Sequence, residues 1–408
     1  MTRHAEDADN TGRSAVPLVM LLGSGEMSRE LTLAFQRLGA TVIAVDRYAD
    51  APAHRVADRS AVVTMNDPEA LAAVIDEERP DFVVVEAGVV ATDVLGALAE
   101  RIEVFPTPRA TRLTLDREGL RRLAADELGL PTAPFWFASS AEELSAVAEH
   151  AGFPLAVIPV AGAPGEGSSV LLRPEDVEPA WNRAIAAGHL TTPNRVMAET
   201  VVDVDDEITL LTVRTTGPTG PTVHFCEPIG HRVAEDGTLA TWQPYRLSPA
   251  ALDAAKSIAA RIVSSLGGRG AFAVELLVRG DEVYFSGVWP RPDDNAFLTV
   301  RTQRLSEFDL HARAILGLTV DTIMISPGAA EIGYAEAAPA AAVDKADVLA
   351  VLSEALAVAE SDVLLFDRLD ETDGRHRLAA AFATAPDVVV ARDRVQRTAV
   401  SLRRLWQP

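Results

Sequence analysis

The first hundred residues alternate short apolar runs with amphipathic segments, and this alternation restricts the chain to few folds. The predicted series is a strand over 17–22, a helix over 27–38, a strand over 41–45, a strand near Val62, a helix over 69–77 and a strand over 81–85. Strands that alternate with helices in this way predict βαβ units and a parallel sheet. The sequence therefore predicts an α/β fold that begins with a doubly wound unit ending near residue 110.

A second unit begins after Leu130-Pro131-Thr132, which ends a predicted helix over 114–128. Its predicted elements are a helix over 141–151, a strand over 155–160, a helix over 174–187, a strand over 195–199, a strand-rich stretch over 207–289 interrupted by a helix over 250–266, and a helix over 345–358. The part beyond about Thr322 is predicted to be a small β-rich domain.

Composition excludes several classes of protein. A length of 408 residues favours two or three domains. Lys and Arg number 37 against 59 Asp and Glu, a net charge of −22, which argues against nucleic acid or an anionic membrane as partner. The lone Cys226 excludes an intrachain disulfide. No apolar run approaches the ~20 residues of a membrane span, and the polar start lacks a signal peptide's apolar core, so we expect a cytoplasmic protein.

The segment 274–295 predicts two strands joined by a turn at 279–281. Glu275 lies on the first strand, and Gly287 lies on the second. A metal–nucleotide site on such a hairpin normally takes one carboxylate from each strand, because Mg²⁺ prefers hard oxygen ligands that it shares with phosphates. The hairpin is therefore predicted to offer only half of that site.

Two glycine-rich segments are weaker signals. Gly23 and Gly25 with Asp46 fit part of a dinucleotide-binding pattern, but Ser28 stands where its third glycine belongs, so a tight turn is the simpler interpretation. An intermediate hypothesis has Glu26 and the nearby backbone bind another small molecule. The loop over 157–169 could cover a phosphate, yet it offers Ile158 in place of a cation, and a connector is the simpler interpretation.

Other polar groups cluster further along the chain. Glu199, followed by Thr200, Val201 and Val202, can present backbone groups to an adenine edge, and Glu207 can bond ribose hydroxyls; a solvated acidic turn is the competing interpretation. His231 is more often structural than catalytic in such a setting. The cations Arg368, Arg375 and Arg377 suit bidentate phosphate binding, with a solvated turn equally possible.

Long segments from about Val16 to Thr384 resemble the formate-dependent phosphoribosylglycinamide formyltransferases, which are ATP-grasp enzymes of purine synthesis. The resemblance is dense in LLGSGEMSRELTLAFQRLGATVIAVDRYADAPAHRVA, LTLDREGLRRLAADELGLPT, EITLLTV, HFCEPIGHR, GDEVYFS and LSEFDLHARAILGL. It implies a tail over 1–15, a Rossmann-like pre-ATP-grasp domain over 16–112, an ATP-grasp domain over 113–320 and a C-terminal β-rich domain over 321–408. It also implies a homodimer that uses ATP and Mg²⁺ on a phosphate-bearing substrate.

The resemblance assigns roles to individual residues. Those it implies for ATP are Arg117, Glu199, Thr200, Val201, Val202 and Glu207; those for the substrate are Glu26, Met27, Asp294, Arg368 and Arg377; and the one for the metal is Glu275. The implied reaction is attack of formate on the γ-phosphate of ATP, followed by formyl transfer to the glycinamide amine.

The chain departs from the family at positions that bear charge. The departures are Ile158 for an ATP lysine, the loop 162–167 for a serine- and lysine-bearing loop, Gly287 for a metal glutamate, Gly88 for a substrate glutamate and His376 for an arginine. Phosphoryl transfer should be impaired, because fixed charges supply much of its rate.

Three hypotheses follow from these departures. One is a ligase with an altered amine substrate, in which Glu275 and Asp294 hold the metal in a rearranged site. The second is an inactive homologue that binds nucleotide or sugar phosphate and acts through a partner or a mixed dimer. An NAD-dependent oxidoreductase ranks well below both.

Overall fold

The computed structural model describes residues 16–87, 90–161, 167–187, 194–335, 345–366 and 376–405. The chain divides after Phe105 into two units, and each is considered by itself. Among the described residues, no helix is both long and apolar enough to cross a membrane. The boundaries at 112 and 320 stay predictions.

The first unit is built on a five-stranded sheet in the order β3-β2-β1-β4-β5, whose strand pairs are parallel. The strands are β1 (Leu18–Leu22), β2 (Thr41–Asp46), β3 (Arg59–Val62), β4 (Phe82–Val85) and β5 (Glu103–Phe105). The helices are α1 (Glu26–Arg37), α2 (Pro68–Glu78) and α3 (Thr92–Leu98). Apolar residues of α2 and α3 pack on one sheet face, while α1 contacts β1 and β2. The doubly wound prediction is confirmed.

Strand order reverses beside β1, whose neighbours are β2 and β4, and ligands of such sheets bind at the carboxyl ends of strands there. Gly23 follows β1 at this point with a φ of +110°. A Cβ on Gly23 would lie 2.8 Å from the backbone nitrogen of Ala87. Glycine is therefore required both by the left-handed backbone and by the close passage of the chain after β4.

The second unit contains a four-stranded sheet, a nine-stranded sheet and nine described α-helices. The helices are α4 (Pro108–Leu115), α5 (Arg117–Arg122), α6 (Ala141–Ala151), α7 (Val177–Ala187), α8 (Pro249–Leu266), α9 (Thr299–Thr302), α10 (Glu307–Ile315), α11 (Lys345–Ala355) and α12 (Val388–Arg403). The smaller sheet has the order β6-β9-β7-β8, with β6 (Phe135–Ala138), β7 (Leu155–Pro159), β8 (Ser169–Leu171) and β9 (Val196–Thr200). One face of this sheet packs on α6 and α7 through alternate apolar residues.

The larger sheet has the order β15-β14-β10-β12-β13-β16-β18-β17, with β11 paired to β10. Its strands are β10 (Asp206–Gly217), β11 (Gly220–Phe225), β12 (Ile229–Val233), β13 (Leu239–Gln243), β14 (Gly270–Arg279), β15 (Glu282–Trp289), β16 (Gly328–Ala335), β17 (Ser361–Leu365) and β18 (His376–Thr384). On β10, β14 and β15, one face packs against α8 in a large apolar core. Since side chains alternate along a strand, Glu207, Thr209 and Glu275 lie on the opposite face, which we call the site face.

The predicted helix over 114–128 is interrupted. It is replaced by α4, α5 and a π-helical turn over Leu123–Glu127. The break falls at Asp116, whose backbone is extended. There the N–H of Arg117 leaves the helical pattern and donates to the carbonyl of Val160 at 3.1 Å. A tertiary hydrogen bond thus overrides an amphipathic repeat that favours one continuous helix.

Candidate functional site

The four-stranded sheet presents Glu199 on the face opposite its helical layer. Phe135 on β6 and Ala156 on β7 are its register partners, and Ile158 lies two residues beyond Ala156 on the same face. Ile158 is half-buried. The position where the resemblance implies a lysine therefore does lie on the same face as Glu199, but its side chain is aliphatic.

Arg121 forms an ion pair with Glu199, with 2.9 Å between Nη2 and Oε2. Both side chains are almost fully buried, at 5% and 11% exposure. Burial raises the pKa of Glu199, and the guanidinium opposes that shift. Burial also lowers the pKa of Arg121, which the Glu199 carboxylate opposes. A buried pair of this kind is costly to break, because either partner alone would be an uncompensated charge.

The same guanidinium joins the two sheets. Arg121 donates to the carbonyl oxygens of Phe285 and Ser286, each at 3.2 Å. Those carbonyls are available because the pairing of β14 with β15 shifts by one residue after Glu275, which leaves Ser286 in a bulge. The bulge therefore fixes Glu199 relative to the hairpin that bears Glu275.

The segment after Glu199 is only partly open for backbone recognition. The N–H of Thr200 donates to Pro134 O at 2.9 Å, and that of Val201 donates to Pro154 O at 3.3 Å. For the N–H of Val202, the described residues offer no backbone acceptor outside regular elements. The adenine contact implied for this segment stays a prediction, with the N–H of Val202 as its candidate donor.

Arg117 lies beside the end of β7. Its Nη1 donates to Pro159 O at 2.8 Å, next to the glycine-rich loop that follows the strand. The phosphate contact implied for Arg117 stays a prediction. Residues 162–166 of the loop, including Glu166, lie outside the described residues.

The hairpin places Glu275 directly opposite Gly287 in the strand register. A Cβ on Gly287 would lie 3.0 Å from Oε2 of Glu275, so this carboxylate leans over the glycine. Its other oxygen, Oε1, accepts from Trp289 Nε1 at 3.2 Å and from Asn295 Nδ2 at 3.1 Å. Burial, then the neighbouring Asp293, raises the pKa of Glu275 to about 7.

Glu207 and His231 face each other across β10 and β12. His231 Nε2 lies 3.5 Å from Glu207 Oε2, and its Nδ1 lies 3.3 Å from Thr209 Oγ1. The hydrogen bond with His231 lowers the pKa of Glu207, while burial acts against it. The Glu207 side chain is still 58% exposed, so an ionised acceptor remains open to a ligand hydroxyl.

In the turn after β15, the adjacent residues Asp293 and Asp294 have different partners. Asp293 caps a 3₁₀ turn over Asp294–Ala296, accepting from the N–H of Asn295 at 3.0 Å, and burial and then Asp294 raise its pKa. Asp294 instead binds Arg377, with 2.6 Å between Oδ1 and Nε, and accepts from Tyr334 OH at 2.7 Å. The structure therefore brings together two predicted substrate residues, Asp294 and Arg377. The two carboxylate oxygens of Asp294 bind Arg377 and Tyr334, and the hypothesis that Asp294 shares a metal with Glu275 stays untested.

Glu26 and Met27 lie in the first unit at the start of α1, where Glu26 is half-buried and the Met27 side chain is buried. Asp46, the acid of the dinucleotide hypothesis, accepts the N–H of Ser24 at 2.6 Å and that of Arg47 at 2.7 Å. With both oxygens bonded to backbone, Asp46 is not presented to a ribose. Arg368 and Gly88 lie outside the described residues.

A metal ion at this site would depend on a small set of donors. Among the described residues, no three or more His, Cys, Asp or Glu side chains form a group able to hold a metal ion. Glu275 and Asp293 are hard oxygen donors, and Mg²⁺ often takes only one or two carboxylates with phosphates and water completing its shell. The residues fit Mg²⁺ brought with a nucleotide.

The fold and the site define the class of protein. Residues 123–308 match the ATP-grasp domain, and residues 18–114 match the ribonucleotide synthetase preATP-grasp domain. An N5-carboxyaminoimidazole ribonucleotide synthetase structure from Thermus thermophilus superposes with a TM-score of 0.77 at 23% identity, covering 96% of this chain and 99% of that one. That likeness shows the fold: an ATP-grasp protein with an N-terminal preATP-grasp domain.

Closer relatives identify the family. A formate-dependent phosphoribosylglycinamide formyltransferase of Rhodococcus jostii (strain RHA1) is 49% identical over 93% of this chain and 94% of that protein. One from Corynebacterium glutamicum (strain R) is 48% identical, over 94% of each. A glycinamide-RNase-transformylase T structure from Mycobacterium tuberculosis has a TM-score of 0.80 at 55% identity, covering 94% and 99%. The chain belongs to the formate-dependent phosphoribosylglycinamide formyltransferase family.

Sequence reasoning missed several side chains that shape this site. Arg121, Trp289, Asn295 and Tyr334 hold the predicted residues in place, yet no motif marks them. The one available signal was the pair Asp293-Asp294, in which either residue could have faced Glu275.

Proposed function

We propose that this chain uses ATP to activate formate and transfers the formyl group to phosphoribosylglycinamide or a closely related amine, at a low rate. The proposal is supported by similarity along nearly the whole length of formyltransferase relatives. It depends most on two observations. Glu275 and Glu207 lie on the site face of the larger sheet. Ile158 stands on the smaller sheet, on the face of Glu199, where the resemblance implies a cation. We also propose a homodimer in the cytoplasm.

The proposed reaction has two steps. A formate oxygen attacks the γ-phosphorus of ATP, the bond to the β-phosphate oxygen breaks, and ADP leaves with formyl phosphate formed. The amine nitrogen then attacks the formyl carbon, inorganic phosphate leaves and the amine proton is lost. Bound Mg²⁺ offsets negative charge on the phosphates in reactions of this kind.

Each predicted residue has a proposed task. Glu199 to Val202 bind the adenine edge, Glu207 the ribose, Arg117 the phosphates and Glu275 the metal, while Glu26, Met27, Asp294, Arg368 and Arg377 bind the amine substrate. For Asp294, the short contact with Arg377 supports a specific role. The pair orients both side chains, so a substrate amine would meet a fixed carboxylate and a substrate phosphate a fixed guanidinium.

The low rate follows from the missing charge. An oriented donor aimed at charge that develops in the transition state contributes about 10²–10³ in kcat in well-studied enzymes. Ile158 offers neither charge nor hydrogen bond on the sheet face that carries Glu199, where the nucleotide is proposed to bind. Adenine and ribose contacts do not depend on that position, so binding should survive better than turnover.

A second candidate is an inactive homologue that binds nucleotide or sugar phosphate and acts through a partner or a mixed dimer. Two observations favour it, because each removes a charged group. Ile158 lies on β7, on the sheet face that carries Glu199, where the resemblance implies a lysine, and Gly287 lies opposite Glu275 where it implies a metal glutamate. Calorimetry would show nucleotide binding, while no product would form.

The test is formate-dependent turnover. Purified protein is incubated with ATP, Mg²⁺, labelled formate and phosphoribosylglycinamide, and both ADP and labelled product are measured, with a control lacking formate. The proposal expects slow ADP release in step with labelled product. ADP release that ignores formate would contradict the proposal, whereas nucleotide binding without ADP release or product across a panel of amines would favour the second candidate.

A further inference from the structure

Gly287 offers no carboxylate opposite Glu275 on β15, and the Glu275 carboxylate lies over this glycine. Its Oε2 would be only 3.0 Å from a Cβ at residue 287. Trp289 and Asn295 hold its Oε1 by two neutral N–H donors. Glu275 is thus fixed by groups that supply no positive charge, and its remaining oxygen faces the glycine.

A different carboxylate lies beside Glu275. Asn295 donates from its side chain to Glu275 Oε1 at 3.1 Å and from its backbone to Asp293 Oδ1 at 3.0 Å. One residue therefore links the two acids, which also repel each other electrostatically. Asp294, the neighbouring acid, is turned toward Arg377 and Tyr334.

We propose that Asp293 supplies the second metal carboxylate that Gly287 lacks, so that Glu275 and Asp293 bind a divalent cation together with the phosphates of a nucleotide. Two carboxylates plus phosphate oxygens are a sufficient donor set for Mg²⁺ or Mn²⁺. The cation site then lies between β14 and the turn after β15, instead of between two adjacent strands. This inference rests on the proposed function, because the nucleotide must supply the remaining ligands.

The test measures cation binding without requiring catalysis. Mn²⁺ binding is followed by electron paramagnetic resonance in the presence of a non-hydrolysable ATP analogue, for the wild type and for Asp293→Asn. The asparagine keeps an oxygen that can cap the 3₁₀ turn, so the change removes charge and little else. The matched control is Asp253→Asn on the exposed side of α8, which packs on the opposite sheet face.

Asp293→Asn is expected to weaken Mn²⁺ binding at least about tenfold, as the loss of a partner at a metal site commonly does. The control should bind as the wild type does, and both variants should bind the metal-free nucleotide equally. Asp293→Ser, which also keeps a capping oxygen, should repeat the loss and covers the case in which the asparagine variant folds poorly.

The outcomes separate this inference from the proposed function. If the wild type binds Mn²⁺ with nucleotide and Asp293→Asn binds it equally well, Asp293 is not a ligand, while the proposed function stands. If the wild type binds no nucleotide with or without Mn²⁺, the proposed function is wrong. This inference is then wrong as well, because it requires a bound nucleotide.

Discussion

Arg121 and Arg122 are adjacent in sequence but occupy opposite environments. The Arg121 side chain is 5% exposed and pairs with Glu199, whereas that of Arg122 is 52% exposed and pairs with Glu118 one helical turn away. The buried pair holds the position at which adenine recognition is proposed. The exposed pair lies in water, where charge pairing contributes little.

Replacing Arg121 by methionine should therefore strongly destabilise the protein. We expect a loss of about 3–5 kcal/mol in the free energy of unfolding, because Glu199 is left buried without a partner. Urea denaturation of Arg121→Met and of the control Arg122→Met measures the difference. The control should lose less than about 1 kcal/mol, and equal losses would contradict the role given to the buried pair.

Helix α10 packs on β10 and β14, the two strands that carry Glu207 and Glu275. His311 on this helix is fully buried, and its Nδ1 accepts the N–H of Ala271 at 2.9 Å. The ring lies against Gly270, where φ is +139° and a Cβ would come within 2.9 Å of the ring. Helix and strand thus meet through a glycine and a neutral imidazole.

This contact should make stability depend on pH. Burial lowers the pKa of His311 to about 3. In the unfolded chain this histidine is protonated below about pH 6.5, whereas in the folded chain it stays neutral down to about pH 3. The contribution of His311 to stability is therefore fully present above pH 6.5 and is lost as the pH falls toward 3. The contribution is up to about 1.4 kcal/mol per pH unit. In urea denaturation between about pH 6.5 and 4, His311→Asn should remove this part of the dependence of the unfolding free energy on pH. The control His150→Asn, on the exposed side of α6, should leave that dependence unchanged.

Elements with a clear period were predictable from sequence, and features without one were not. The helix over 141–151 and the hairpin bearing Glu275 are confirmed, because apolar spacing and a Gly-containing turn specify them locally. The break at Asp116 depends on Val160, a distant partner in the chain, which no local pattern reveals. The orientations of Asp293 and Asp294 depend on an irregular turn, in which neighbouring residues point in unrelated directions.

At the scale of the whole molecule, one sheet joins distant parts of the site. Glu275 on β14, His231 on β12 and Arg377 on β18 belong to the same nine-stranded sheet. The turn after β15 connects to β18 through the ion pair of Asp294 with Arg377. Such a frame can persist while single side chains change, since its pairing depends on backbone hydrogen bonds and on the apolar face.

The chain therefore retains the architecture of its family, with Ile158 at the position where the resemblance implies a cation. Restoring that cation changes one half-buried position on β7. Lysine is compatible with this position because its apolar stem can replace isoleucine while the ammonium extends from the sheet face that carries Glu199. Methionine at the same position is the matched control, being similar in length and uncharged.

The most direct measurement is kcat for formate- and phosphoribosylglycinamide-dependent ADP release by the wild type, Ile158→Lys and Ile158→Met. We predict a wild-type kcat well below the roughly 10 s⁻¹ typical of enzymes. Ile158→Lys should raise it at least about tenfold, and Ile158→Met should leave it unchanged. A wild type that turns over at about 10 s⁻¹, or a lysine variant no faster than the methionine one, would contradict the account.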